Sequence, residues 1–270
     1  MSDSPLTQSV DDVLDSHVRK WLANEPEMET ALLFAGASRD LAALWGALLN
    51  EWLDALFGRS DSGVAQVKLG WWGEALALAS DASPHPLVRA FALAGGGVAG
   101  AARWQAVTLA ALELLSRETS PANVEDLVAT RLPMAQALVA VEDALWPQAG
   151  SGDAQVLARY LVLWQWRRHR PEQTPQPGWL PLQLLARHDL RAQAVYQRRD
   201  DAAAAALFAD LADALLQVRP TAAGPRLRRV RTRFDELALE RLRRHHRQPF
   251  PASGLALLWR SWRAAAGVPA

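Results

Sequence analysis

Two short stretches carry charged residues whose types and spacing suit the binding of a charged ligand. Glu51 and Asp54 are three residues apart in a helical pattern, so their carboxylates can share one face of a helix. Arg167 and Arg168, with Arg170 close behind, carry guanidinium groups that can bind an anion through parallel hydrogen bonds. The same arginines can instead be the basic end of a helix that complements the helix dipole, and we favour that simpler interpretation.

The stretch 67–76 places two adjacent tryptophans in the middle of one predicted helix. Adjacent helical residues point about 100° apart, so either Trp71 or Trp72 can line an apolar cavity while the other packs on a neighbouring helix. The alternative, which we favour, is that both are core anchors, because an indole buries a large apolar area. Lys68 and Glu74 can contact a ligand from the same helix, although solvated positions are the simpler interpretation.

Several kinds of site are excluded or disfavoured by the composition. The chain of 270 residues contains no cysteine, so neither a disulfide framework nor a thiolate zinc site can form. Gly95, Gly96 and Gly97 follow no predicted strand and precede no Gly-Lys-Ser/Thr motif, so they predict a tight helix junction rather than a phosphate-binding loop. His245 and His246 lie among arginines without nearby acids, which disfavours a metal site.

The formal net charge of zero conceals an uneven distribution of charge along the chain. Residues 1–85 carry five Lys and Arg against thirteen Asp and Glu, whereas residues 154–270 carry twenty Arg against nine acids. The basic half can steer an anionic partner, but we favour charge pairing between the two halves of one fold. For the nine arginines of residues 226–247 we expect a solvated outer face and no nucleic-acid partner.

Apolar residues recur at helical spacing along the chain, and no strand-like alternation competes with this pattern. Ala and Leu, which favour helix, predominate over β-branched residues. With no repeat period and no long linker, the pattern predicts one all-α domain over residues 1–270, in which residues 1–8 are disordered. The predicted helices cover residues 5–24, 39–57, 64–80, 101–117, 132–146, 154–168, 191–218, 226–244 and 255–265, with shorter ones starting at Pro26, Pro86, Pro121 and Trp179.

No stretch approaches about 18 uninterrupted apolar residues, so the sequence predicts no membrane-spanning helix. Residues 1–15 are acidic and polar, unlike a secretory signal, which makes a cytoplasmic location the default expectation. Trp259 and Trp262 lie beside Arg260 and Arg263, so the final helix can rest on the inner face of a membrane as a peripheral contact. Core packing of that helix is an equally good interpretation.

Four segments together resemble the squalene/phytoene synthase family. Residues 68–76 resemble the Trp-pair helix of that family, and residues 84–87 resemble the turn that follows it. Residues 33–45 are similar to the start of the family's first long helix, and residues 178–187 to its Tyr-Leu-Pro segment. The resemblance covers most of the chain and implies an isoprenoid-synthase-type helical bundle around a central cavity.

Members of that family join two isoprenoid diphosphates head to head, and the resemblance implies two aspartate-rich helices that hold Mg²⁺ against the diphosphates. Mg²⁺ prefers hard carboxylate ligands and stabilises the charge that develops on the leaving group. Glu51 and Asp54 stand where the first motif should fall. The second motif should precede the Leu-Pro segment, but between Asp153 and Asp189 the one acid is Glu172.

We therefore expect a catalytically impaired member of the family, a pseudoenzyme with no catalytic or metal-ligating residues and no cofactor. The chain resembles most the branch that includes a mitochondrial complex I assembly factor. That resemblance implies a protein that binds an isoprenoid diphosphate or another prenyl lipid, or one that acts with a protein partner as an assembly or accessory factor. The expected substrate-binding residues are Glu51, Asp54, Lys68, Trp71, Trp72, Arg167 and Arg168.

Two other functions remain open at this point. The first is an active Mg²⁺-dependent prenyltransferase of carotenoid-type or hopanoid-type biosynthesis, which would use Glu51 and Asp54 with an atypical second site. The second is a pure scaffold protein whose tryptophans close the cavity. Transfer of prenyl groups would distinguish the active prenyltransferase from the catalytically impaired protein that we favour. A cavity too small for a prenyl chain would support the scaffold protein.

Overall fold

A computed structural model describes residues 5–58, 61–168, 179–197, 202–217, 223–245 and 254–267. Within these ranges the chain forms α-helices, short loops and two 3₁₀ turns but no β-strand, so the predicted all-α class is confirmed. The helices are α1 (Pro5–Asn24), α2 (Glu27–Leu33), α3 (Arg39–Phe57), α4 (Ser62–Ala77), α5 (Pro86–Leu93), α6 (Gly100–Leu115), α7 (Val124–Ala129), α8 (Leu132–Leu145), α9 (Ala154–Arg168), α10 (Leu182–Arg187), α11 (Ala192–Gln197), α12 (Ala202–Leu216), α13 (Arg226–His245) and α14 (Gly254–Ala265).

Local side-chain hydrogen bonds explain where α7 begins and why α3 has no side-chain cap. α7 begins after Pro121 because the Asn123 side chain accepts a hydrogen bond from the backbone N–H of Asp126 at 2.8 Å and caps the helix there. Ser38 precedes α3 but does not cap it, since its hydroxyl donates to the backbone carbonyl of Ala35 instead. The Asn123 cap thus sets the start of α7, whereas α3 begins at Arg39 as predicted.

Other expectations on the extent of the helices fare differently. Leu33 is the last residue of α2 and is exposed. The stretch 191–218, predicted as one helix, contains α11 and α12 on either side of residues that lie outside the described part. The proline-rich loop 171–178 and residues 1–4 also lie outside it, whereas α1 already begins at Pro5. No helix in the described ranges is long and apolar enough to cross a membrane.

α9 and α13 contribute side chains to both clusters of the apolar core. The larger cluster contains residues of α1 to α6 and α8 together with one face of α9 and of α13. The smaller cluster contains residues of α7, α10 and α12 and another face of the same two helices. α8 packs against α9, and α12 packs against α13. Polar side chains on the inner faces of α9 and α13 are therefore enclosed on several sides.

Trp45 anchors α3 in the larger cluster. Its ring is 1% exposed and lies 6.4 Å from the ring of Phe91 and 6.0 Å from that of Trp104, measured between centroids. A buried indole needs a partner for its N–H. Trp45 Nε1 donates to the Glu142 carboxylate of α8 at 3.0 Å. This contact fixes the helix that carries Glu51 and Asp54.

Gly73 allows α4, the helix of the tryptophan pair, to lie close against α6. A Cβ atom added at Gly73 would lie 2.3 Å from Oγ1 of Thr108 on α6. A real Cβ atom essentially never has a non-bonded contact this short, so a larger residue would force Thr108 or one of the two helices to shift. The orientation of Trp71 and Trp72 thus depends on this approach.

Candidate functional site

Glu51 and Asp54, predicted as a carboxylate pair, lie on one face of α3 and both face Lys20 of α1. The Lys20 Nζ lies 2.8 Å from Glu51 Oε1 and 4.0 Å from Asp54 Oδ2. His17, on the preceding turn of α1, places its Nδ1 3.4 Å from the same Glu51 oxygen. The Glu51 side chain is 15% exposed, so these contacts are partly shielded from water.

The electrostatics of Glu51 favour its charged form. Burial tends to raise its pKa, but hydrogen bonds and positive charge from Lys20, with a further contribution from His17, hold the pKa below its ordinary value. The ammonium thus lies in front of both carboxylates, where a divalent cation would have to lie to bridge them. Glu51 and Asp54 in this arrangement do not fit Mg²⁺.

The tryptophan pair is divided between the core and the surface. Trp72 is 7% exposed and Trp71 is 46% exposed, so the expectation that both are core anchors is wrong for Trp71. Both rings contact His85 edge-on, with centroids 5.4 Å and 5.1 Å away. His85, expected only as a turn residue, precedes α5 and packs against both indoles. Lys68, one turn earlier on α4, is partly exposed.

Glu51 and the tryptophan pair, which were predicted from separate stretches of the sequence, belong to one group of contacts. The His85 ring centroid lies 5.6 Å from that of His17, which in turn contacts Glu51. Burial lowers the pKa of His85, His17 lowers it further, and Glu51 opposes them only in part. His85 is therefore neutral at neutral pH. We call this group the Trp–His cluster: His17, Lys20, Glu51, Trp71, Trp72 and His85.

Arg167, predicted as an anion ligand, belongs to a different set of contacts on α2, α9 and α13. Its Nη1 lies 3.5 Å from Glu27 Oε1 and its Nη2 lies 3.6 Å from Asp235 Oδ1. The side chain is 16% exposed, and a diphosphate would have to compete with both carboxylates. A role of Arg167 in binding diphosphate stays a prediction. The side chain of Arg168 lies outside the described residues.

Paired charges fill the interior beside Arg167. Arg231 of α13 forms an ion pair with Glu25, which lies between α1 and α2, and Arg228 of α13 forms one with Glu142 of α8. All four side chains are buried. The expectation of a solvated outer face for the arginines of residues 226–247 is therefore wrong for these two. The Glu25–Arg231 pair joins an acid of residues 1–85 to an arginine of residues 154–270, as charge pairing between the two halves requires, whereas Glu142 lies in neither range.

Asp235 and Tyr160 line a small cleft between α9 and α13. Burial raises the pKa of Asp235 to about 7, although Arg167 and Arg231 act to lower it. Neither carboxylate oxygen of Asp235 nor the Tyr160 hydroxyl has a hydrogen-bond partner among the described residues. Asp235 can therefore change its charge near neutral pH inside an otherwise paired set of charges.

Another face of α9 forms a small apolar cleft with α12 and with residues 179–180, which precede α10. The rings of Trp166 and Phe208 lie 4.8 Å apart at 33° and form its wall. We call it the aromatic cleft, lined by Val162, Gln165, Trp166, Trp179, Leu180, Phe208 and Leu211. Six of the seven lining residues are apolar, but the enclosed space is about that of one water molecule, so a prenyl chain would have to widen the cleft to enter it.

Several residues of these sites were missed from the sequence. His17 and Lys20 are three residues apart on the first predicted helix, so they share a face in the same way as Glu51 and Asp54. A search for a basic helix face that complements the acidic face of Glu51 and Asp54 would have identified His17 and Lys20. Asp235 lies among the apolar residues of α13. An acid within the inward-facing stripe of a helix was the sequence signal that could have identified it as a buried carboxylate.

Comparison with protein-family models, with curated proteins and with solved structures finds no match for this chain. The resemblance to the squalene/phytoene synthase family therefore rests on the four sequence segments alone. The family assignment, like the central cavity, stays a prediction.

Proposed function

We propose that this chain is a divergent, non-catalytic protein of the squalene/phytoene synthase type that binds a prenyl chain. The observation that carries the proposal is the position of Lys20, whose Nζ lies 2.8 Å from Glu51 Oε1 and 4.0 Å from Asp54 Oδ2. The lysine supplies from within the chain the positive charge that the family takes from Mg²⁺. An ammonium is a compact monovalent charge and cannot gather several oxygen ligands in an octahedron as Mg²⁺ does.

The positions of the helices support the isoprenoid-synthase-type bundle in this proposal. Residues 68–76 lie within α4, and Pro86 is the first residue of α5. Residues 39–45 open α3, and residues 182–187 form α10. These are the helices and the turn that the resemblance requires, in the same order along the chain.

The contacts of Arg167 favour a ligand that is recognised through its prenyl chain rather than through a diphosphate group. Its guanidinium faces Glu27 and Asp235, so a diphosphate would gain less there than at an arginine open to solvent. The aromatic cleft, by contrast, offers an apolar surface beside α9. A prenyl alcohol or another neutral prenyl lipid is thus the proposed class of ligand.

A calorimetric titration of the full chain with farnesol and with farnesyl diphosphate tests this proposal. Because the prenyl chain carries the binding, we expect the two dissociation constants to agree within about threefold and to be unchanged by EDTA. Binding of the diphosphate about tenfold tighter than the alcohol, with loss of the difference in EDTA, would overturn it. Absence of binding by either ligand would favour the scaffold or accessory function.

Two matched substitutions locate the ligand. Trp166→Ala removes an indole from the aromatic cleft, and Trp71→Ala removes one from the Trp–His cluster. We expect Trp166→Ala to weaken farnesol binding about tenfold and Trp71→Ala to leave it unchanged. The opposite result would place the prenyl chain at the Trp–His cluster.

A further inference from the structure

The last described helix, α14, presents large apolar side chains to solvent. Trp259 is 56% exposed, Trp262 is 54% exposed and Leu258 is 41% exposed. With successive helical residues about 100° apart, these three side chains cover an arc of about 100° on one side of the helix. Core packing, the other interpretation of the two tryptophans from sequence, is therefore wrong.

The opposite side of α14 is fixed to the body of the protein. Ser261 is completely buried, and its hydroxyl donates to the backbone carbonyl of Leu257. Arg229 of α13 donates from Nε to the carbonyl of Ala264 at 3.1 Å and from Nη2 to that of Ala265 at 2.6 Å. The exposed arc is thus held in a defined orientation.

The two charged residues of α14 are both arginines. Residues 241–270 include six arginines and no Asp or Glu. Arg263 holds its guanidinium 4.9 Å from the centre of the Trp259 ring, and Arg260 lies between the two tryptophans in sequence. Apolar exposure and positive charge therefore coincide on one helix.

We propose that this face of α14 docks on a membrane surface that contains anionic lipids. An indole combines an apolar body with a polar N–H, which suits the boundary between headgroups and acyl chains. Arginines near that boundary are attracted by anionic headgroups. The surface is separate from the clefts beside α9, so this inference does not depend on the binding of a prenyl chain.

Co-sedimentation of the full chain with lipid vesicles tests this surface. We expect binding to vesicles of phosphatidylcholine with phosphatidylglycerol and at least about tenfold weaker binding to phosphatidylcholine alone. The double variant Trp259→Ala, Trp262→Ala should reduce binding to the anionic vesicles about tenfold. Leu93→Ala, Leu109→Ala is the matched control, since these side chains are 69% and 68% exposed on other helices and their loss should change nothing.

The variants also separate the lipid from other partners. Circular dichroism and thermal unfolding first establish that each variant folds, which the exposure of Trp259 and Trp262 leads us to expect. Arg260→Gln, Arg263→Gln should weaken binding to anionic vesicles while leaving the folded state intact. No binding of the wild type to either vesicle, equal loss in the leucine control, or binding to an oligonucleotide in preference to vesicles would each overturn the proposal.

Discussion

The Lys20 ammonium lies 2.8 Å from the Glu51 carboxylate although the two residues are 31 positions apart in the sequence. This contact joins α1 to α3 and holds a positive charge in front of Asp54 as well. Its consequence is that the carboxylates most similar to a Mg²⁺ motif already have an internal cation.

Removal of that cation should expose a latent affinity for metal. In Lys20→Met we expect Mg²⁺ to raise the thermal unfolding temperature, because the ammonium no longer competes for Glu51 and Asp54 and binding to the folded state stabilises it. Lys68→Met on α4 changes the net charge equally and is the control. Differential scanning fluorimetry with and without Mg²⁺ measures the effect. Equal stabilisation of the wild type by Mg²⁺ would contradict the assignment of Lys20.

The buried pair of Arg231 and Glu25 should contribute strongly to stability once one partner is removed. Arg231→Met leaves the buried Glu25 carboxylate without its guanidinium partner, which should reduce the free energy of unfolding by about 3–5 kcal/mol. Arg243→Met removes an exposed partner of Asp213 and should cost at most about 1 kcal/mol. Urea unfolding of both variants compares them. A similar loss in the free energy of unfolding of both variants would show that the buried ion pair contributes no more to stability than the exposed one.

The raised pKa of Asp235 predicts how stability depends on pH. The folded carboxyl has a pKa of about 7 against an ordinary value of 3.8, so the folded state binds more protons between these values. The free energy of unfolding should therefore fall as pH rises from about 4 to about 7, with this group contributing a slope of up to about 1.4 kcal/mol per unit. Asp235→Asn should lack that contribution. Urea unfolding of both proteins at about pH 5 and about pH 7 tests it, and parallel pH dependences would argue against a titrating Asp235.

Two glycines of α4 should respond oppositely to the same substitution. Gly73→Ala places a Cβ 2.3 Å from Thr108 Oγ1, so we expect a loss of about 1–3 kcal/mol in the free energy of unfolding. Gly70→Ala, with nothing within 4 Å of the new Cβ, should stabilise the helix by up to about 1 kcal/mol. Urea unfolding measures both. Equal effects would show that α4 does not depend on its close approach to α6.

The helices were predictable because their signals are local. The prediction for α9 over residues 154–168 agrees with the observed bounds, and Pro86 starts α5 as expected. The burial of Arg228 was not predictable, because an arginine-rich helix is usually solvated. Its partner Glu142 lies 86 residues away, and only the tertiary fold brings the two together.

The candidate site was predictable in its parts but not in its connections. Glu51 and the tryptophan pair were identified from spacing and residue type. Their link through His17 and His85 depends on contacts between α1, α3, α4 and α5, which no local pattern encodes. The exposure of Trp71 likewise follows from how α4 packs against its neighbours, since the sequence presents Trp71 and Trp72 as equivalent.

Release of pyrophosphate from farnesyl or geranylgeranyl diphosphate in the presence of Mg²⁺ tests most directly whether this chain is non-catalytic. Because Lys20 lies in front of Glu51 and Asp54, we expect the wild-type protein to release no pyrophosphate above the background of buffer alone. Release of pyrophosphate together with a longer prenyl product would contradict this and establish the Mg²⁺-dependent prenyltransferase instead.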